Sequence, residues 1–193
     1  MEYSISRTKR NMIVLSSSFL ILYFLIDGLF FFIMGPTKLD TLQLGILKML
    51  YIIPFGYLVL VFVDYFRYYH LKVLQMTTIA MFICEVVTIG IQFANGLIAT
   101  VPEFVLYAIS AVGIIATIIW MIFLFSANMK DYPAVISIRK YAVGSILIFL
   151  IGFSIPFFVK PDNNFAALQI LCMICAIPYI FTIDFATKLQ LKE

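Results

Sequence analysis

Six apolar runs constrain this chain more than any other feature, because each is close to the roughly 20 residues needed to cross a hydrocarbon core. They cover about Met12–Met34, Leu42–Val63, Met76–Ile98, Pro102–Phe125, Tyr141–Val159 and Phe165–Thr187. Lipid cannot satisfy backbone polar groups, and the two-residue alternation of a membrane barrel is absent, so the runs are predicted to be helices. Of the 193 residues, 64% are apolar and 12% are charged. A soluble domain is about half apolar and about a quarter charged, so the surplus must face lipid. The expected fold is all-α: a polytopic integral membrane protein, one domain over residues 1–193, with a bundle of six transmembrane helices. The first run follows Arg7, Lys9 and Arg10. It is too long for a signal-peptide core and lacks a small-x-small cleavage site, so it reads as a retained span.

Loop chemistry separates the runs at Gly35-Pro36-Thr37, Asn95-Gly96, Asp131-Tyr132-Pro133 and Lys160-Pro161-Asp162-Asn163-Asn164. With the N-terminus inside, ten of the thirteen basic residues fall on the inner side; Lys38, Lys48 and Lys160 fall on the outer half. By the positive-inside rule both termini are expected to be cytoplasmic. The membrane is expected to be a plasma (inner) or organelle membrane. Asp64–Gln75, rich in Tyr, Phe and basic residues, reads as a helical extension of span 2 in an interfacial aromatic belt. Pro54 and Pro156 fall at matching depth in the middle spans of two sequential halves, the weak mark of an inverted repeat.

Glu85 lies near the centre of span 3, where an ionised group costs roughly 2.5–3.5 kcal/mol on the insertion scale. Thr78, Glu85, Thr88 and Gln92 share one helical face, so span 3 is expected to turn that face inward. Glu85, Thr88 and Gln92 are therefore candidates for binding a substrate or ion. A polar clamp between helices explains the same stripe. Asp27 in span 1 and Lys48 in span 2 lie at similar depth, which suits an ion pair or an outer gate. Lys48 can also snorkel outward. Cys172 and Cys175 form a C-x-x-C inside span 6 and are candidates for a redox pair. Reactive pairs of this kind usually stand at a helix N-terminus, so small residues at a helix contact are the plainer reading. Gly90-x-x-x-Ala94, Gly113-x-x-x-Thr117 and Cys172-x-x-x-Ala176 permit close helix approach. Pro54 and Pro178 each free a carbonyl one turn earlier and allow a kink. Asp184 is expected to be an interfacial anchor for Arg67, Arg139 or Lys188.

No catalytic residue, resident metal or cofactor is indicated: the hydrolase, zincin, phosphate-loop and dinucleotide motifs are missing, and there is a single histidine. A net charge of +3 scattered over short loops is no nucleic-acid footprint. No span carries an arginine ladder for voltage sensing. The size and six-span topology resemble the substrate-binding components of energy-coupling-factor vitamin transporters. Ser16-Ser17-Ser18 stands where those carry an Ala-x-x-x-Ala face, however. They also resemble small prokaryotic potassium channels with a Phe-Ser-Asp signature, where this chain reads Leu25-Ile26-Asp27-Gly28. No functional residue carries over from either family. The expected function is a non-enzymatic transport or solute/ion-binding component, in contact with the lipid bilayer and with other membrane subunits or copies of itself. The rival reading is an accessory subunit of a larger membrane complex. A membrane thiol oxidoreductase using Cys172 and Cys175 is the minor alternative.

Overall fold

The computed structural model describes residues 3–34, 41–97, 102–127, 133–158, 167 and 170–192; the side chains at 30–34, 41–48, 92–97, 103, 106, 107, 110, 153 and 156–158 lie outside that description. The described chain is helical apart from two short strands. In order these are β1 (Ser4–Ile5), α1 (Arg7–Met34), α2 (Thr41–Tyr68), α3 (Lys72–Leu97), α4 (Glu103–Ser126), α5 (Pro133–Phe158), α6 (Ile177–Lys188) and β2 (Gln190–Leu191). Five segments are long and apolar enough to cross a membrane: Arg7–Leu29, Met49–Tyr68, Lys72–Ile91, Pro133–Gly152 and Ile170–Lys188. This is the build of a multi-pass membrane protein. Large apolar side chains such as Leu15, Ile53, Met76, Ile122 and Phe149 point outward, as lipid contact requires.

Helix boundaries follow local chemistry. The Ser6 hydroxyl accepts the Lys9 N–H at 3.2 Å and caps α1. Pro133 opens α5 at the first turn, where its missing N–H costs nothing, so this helix starts eight residues before the apolar run. Asp64–Gln75 is not an extension of span 2 alone. It divides into the end of α2, a tight turn and the start of α3. The turn forms because Leu71 N–H reaches the Phe66 carbonyl at 2.9 Å and His70 N–H reaches Arg67 at 3.0 Å. That is the Schellman pattern, and it places His70 in the left-handed region, φ 56°. Asn95-Gly96 does not end the helix either, since α3 runs on to Leu97.

The helices form two compact units, residues 1–38 with 129–193, and residues 39–128. In the first, α6 packs against both α1 and α5; in the second, α3 packs against both α2 and α4. The units are therefore not the two sequential halves, because α1 joins the last helices of the chain rather than α2 and α3. In the first unit β1 pairs in parallel with β2, Ser4 opposite Gln190 and Ile5 opposite Leu191. The Lys192 N–H adds a 2.9 Å bond to the Ile5 carbonyl. Ile5 and Leu189 are buried beneath this clasp, which holds the start of α1 beside the end of α6.

In the second unit, small residues set the packing. A Cβ on Gly113 would lie 3.5 Å from the Cys84 Cβ, and one on Gly56 would lie 2.9 Å from the Phe82 ring. Gly90 faces open space, so of these glycines two touch a neighbouring helix and one does not.

Candidate functional site

Proline chemistry separates two spans that look alike in sequence. Helix α2 runs unbroken through Pro54. The sixth apolar segment instead breaks: a helical stretch at 170–174 ends in a turn at Cys175–Ala176, and α6 restarts at Ile177. Pro178 has no N–H to give the Ile174 carbonyl. The Tyr179 N–H bonds the Ala176 carbonyl at 3.2 Å rather than that of Cys175. The carbonyls of Ile174 and Cys175 thus lose their usual helical donors in the interior of an apolar span.

Helix α1 runs antiparallel to α6 and brings a carboxyl to the same level. The Ser17 hydroxyl meets Thr182 at 2.5 Å. About two turns further along α1, the Phe24 ring stacks on Tyr179, centroids 5.7 Å apart. Asp27 lies about one turn beyond Phe24 and so falls level with the break. Consistent with this register, Asp27 is within electrostatic reach of Cys172 and of Tyr23. Helix α5 closes the other side, with Tyr141 edge-on to Tyr179 at 5.8 Å and Gly144 against Pro178. The half-buried Asp27, Tyr23, Cys172 and Cys175 thus line one region beside the break.

Two polar clusters brace this unit. Ser17 and Thr182 are almost fully buried, 0% and 1% exposed. Their hydroxyls also lie 2.8 Å and 2.7 Å from the carbonyls of Ile13 and Tyr179. Two hydroxyl protons serve three short oxygen contacts, so whichever hydroxyl donates across the helices, the other bonds its own helix. Nearer the clasp, the Ser137 hydroxyl donates to Asp184 Oδ2 at 2.6 Å. Lys188 Nζ donates to the same oxygen at 2.7 Å and to Ser137 at 3.0 Å. Asp184 is therefore the anchor expected from the sequence, with Lys188 and a serine as partners.

The remaining candidates divide between the units. Glu85 and Thr88 sit on α3, the middle helix of the second unit, both half-buried. Thr78, one face with them, is 6% exposed, so this face turns inward at its start. The Thr88 hydroxyl donates to the Cys84 carbonyl at 2.8 Å, and Thr78 to Leu74 at 2.6 Å. These hydroxyls are engaged within their own helix. The side chains of Gln92 and Lys48 lie outside the described residues. Asp27 belongs to the first unit and Lys48 to the second.

Cys172 and Cys175 are free thiols. Cys172 lies inside the 170–174 stretch, and Cys175 lies in the turn just before the Ala176 N-cap of α6. Among the described residues no group of three or more His, Cys, Asp or Glu is placed to hold a metal ion. Pro178 was the sequence signal for the break. Ser17, Ser137 and Thr182 were visible as polar residues in apolar runs, but their pairing needed the helix register. Compared with known protein families, with curated proteins and with solved structures, the chain matches none.

Proposed function

We propose that this is a six-span, non-enzymatic membrane transport or solute-binding component, with both ends cytoplasmic and its site at the interruption of span 6. The topology rests on parity. The clasp holds the start of α1 beside the end of α6, which supports an even number of crossings. Five spans meet the length and hydropathy requirement unaided, and α4 supplies the sixth. It has 24 residues, about 36 Å of helix at 1.5 Å per residue. The excess of Lys and Arg near the clasp end supports a cytoplasmic position for that end.

The observation that carries the functional reading is the broken span facing Asp27. Irregular backbone at membrane depth is tolerated where it lines a cavity or is buried in protein, and discontinuous helices form the binding sites of many transporters. Glu85, on the middle helix of the other unit, is a second carboxyl for the same class of function. The test is solute uptake in proteoliposomes. Asp27→Asn and Pro178→Ala should each reduce uptake at least about tenfold, the scale of 1.4 kcal/mol. Uptake unchanged in both variants and in Glu85→Gln would defeat the reading.

One observation favours the accessory-subunit reading: Gly90, on a lipid-crossing helix, has nothing within 4 Å of its missing side chain. Such a face lets another helix approach closely.

A further inference from the structure

We infer that the clasp end of the first unit binds the headgroup of an anionic phospholipid, independently of the transport reading. Packing gathers basic residues from distant parts of the chain at this one end. The β1–β2 register sets Ile5 beside Leu191, and the Lys192 N–H bonds the Ile5 carbonyl at 2.9 Å, so Lys192 stands by the start of α1 and Arg7. Arg10 precedes Ser17 by about two turns, and the pairing of Ser17 with Thr182 on antiparallel α6 brings it level with Leu189. The Lys188 bond to Ser137 at 3.0 Å draws α5 to the same end, and Lys140, about one turn further on, is within electrostatic reach of Asp184. Arg7, Lys140 and Lys192 are exposed, and Arg10 is half-buried.

The charge of this surface is not balanced from within. Residues 7–10, 139–140 and 188–192 hold seven Lys or Arg, against the acids Glu2, Asp184 and Glu193 in the sequence around them. Asp184 is already engaged by Lys188 at 2.7 Å and by Ser137 at 2.6 Å. Among the described residues, none of Arg7, Arg10, Lys140 and Lys192 is paired with a carboxylate. Helices α1 and α5 begin at this end and α6 finishes here, so two positive helix ends meet one negative end. Such a surface fits an anion, and the apolar surface beside it makes that anion a lipid. Met12 and Leu15 on α1, and Ile136 and Val143 on α5, are exposed within about two turns of these charges. One ligand with a phosphate head and acyl tails matches both. Clusters of about four to eight Lys or Arg flanking a span attract anionic headgroups, each charge adding about fivefold near the surface.

The experiment places the full chain in phosphatidylcholine vesicles with a trace of spin-labelled phosphatidylglycerol, or of spin-labelled phosphatidylcholine with the same acyl chains, and reads the motionally restricted fraction. The anionic lipid should associate at least about tenfold more strongly than the zwitterionic one, and the preference should shrink as salt rises. Joint replacement by Arg7→Gln, Arg10→Gln, Lys140→Gln and Lys192→Gln should bring the two lipids to within about twofold of each other. The charge-preserving set Arg7→Lys, Arg10→Lys, Lys140→Arg and Lys192→Arg should keep the preference. Arg67→Gln with Lys72→Gln, in the second unit, should reduce it by less than about twofold. Size-exclusion profile and helical circular dichroism confirm that each variant folds; if the four-residue glutamine set does not, the pair Arg7→Gln and Lys140→Gln and the salt series on the unaltered protein decide. Equal association of the two lipids, a preference indifferent to salt, or an undiminished preference in the folded glutamine set would each overturn the inference. An equal loss from the second-unit pair would overturn it too, because the attraction would then belong to basic loops in general. Displacement of the labelled lipid by inorganic phosphate, but not by chloride at equal ionic strength, would assign the surface to a soluble anion and overturn the lipid.

Discussion

Replacing glycine by alanine should have opposite effects at Gly56 and Gly90, though both lie inside helices. In a helix interior alanine is favoured by about 0.5–1 kcal/mol, since glycine loses more backbone freedom on folding. At Gly90 an added Cβ meets nothing within 4 Å, so Gly90→Ala should stabilise by about that amount. At Gly56 the new Cβ would lie 2.9 Å and 3.3 Å from two atoms of the Phe82 ring. The ring must retreat by several tenths of an ångström, and it is already packed against Phe55, centroids 6.0 Å apart. Overpacking of this kind costs about 1–3 kcal/mol. After subtracting the propensity gain, Gly56→Ala should destabilise by up to about 2.5 kcal/mol. Reversible unfolding of the purified protein in mixed micelles would measure both. A gain at Gly56, or a loss at Gly90, would refute the packing argument. A loss at Gly90 seen in native membranes but not in the purified protein would reveal a helix of another molecule on that face.

At the α2–α3 turn, His70→Gly should stabilise the protein by about 0.5–1 kcal/mol, because a non-glycine residue is held at φ 56°; thermal unfolding reads it, and a loss would show that the imidazole makes a contact worth more than the strain. For the buried hydroxyls, Ser17→Ala and Thr182→Val should each cost only about 1 kcal/mol, with a coupling near 0.6 and at most about 1.7 kcal/mol in a double-mutant cycle. The reason is that the surviving hydroxyl falls back on its own helix carbonyl; a single loss above about 3 kcal/mol would mean an orphaned polar group instead.

The spans were legible because lipid permits few backbone solutions, and twenty-residue apolar runs are the signature of one of them. Lys72 and Thr41 show where that signal stops. Helices project beyond the hydrocarbon, and their ends are set by capping and turn chemistry rather than hydropathy. The left-handed turn at His70 carries no glycine to announce it. Pro54 and Pro178 look equivalent in sequence, yet only the second accompanies a break. What differs is local: the Tyr179 N–H bonds Ala176, and Gly144 admits the Pro178 ring against α5. Candidate site residues were legible one at a time, as charges or hydroxyls in apolar surroundings. Their groupings were not. The partner of Ser17 lies 165 residues away, and helical periodicity says nothing about which helix stands opposite. Asp27 was read against Lys48 because a short loop joins their spans; its place level with the break in span 6 needed the register between α1 and α6.

The pairing of the first helix with the last has a consequence for how the chain is made. Residues 39–128 are contiguous, so the helices of that unit can meet as soon as they leave the ribosome. Helix α1 emerges first but packs on α6, whose Thr182 is synthesised 165 residues after Ser17. At about 5–20 residues per second, α1 waits for roughly 10–30 s with Ser16, Ser17 and Asp27 lacking their final neighbours. Something must shelter those groups meanwhile, either the insertion machinery or water at the membrane edge. The β1–β2 clasp can close only once Gln190 and Leu191 have emerged. A nascent chain stalled before that point carries a finished second unit and an unfinished first one, with its earliest helix exposed to quality control.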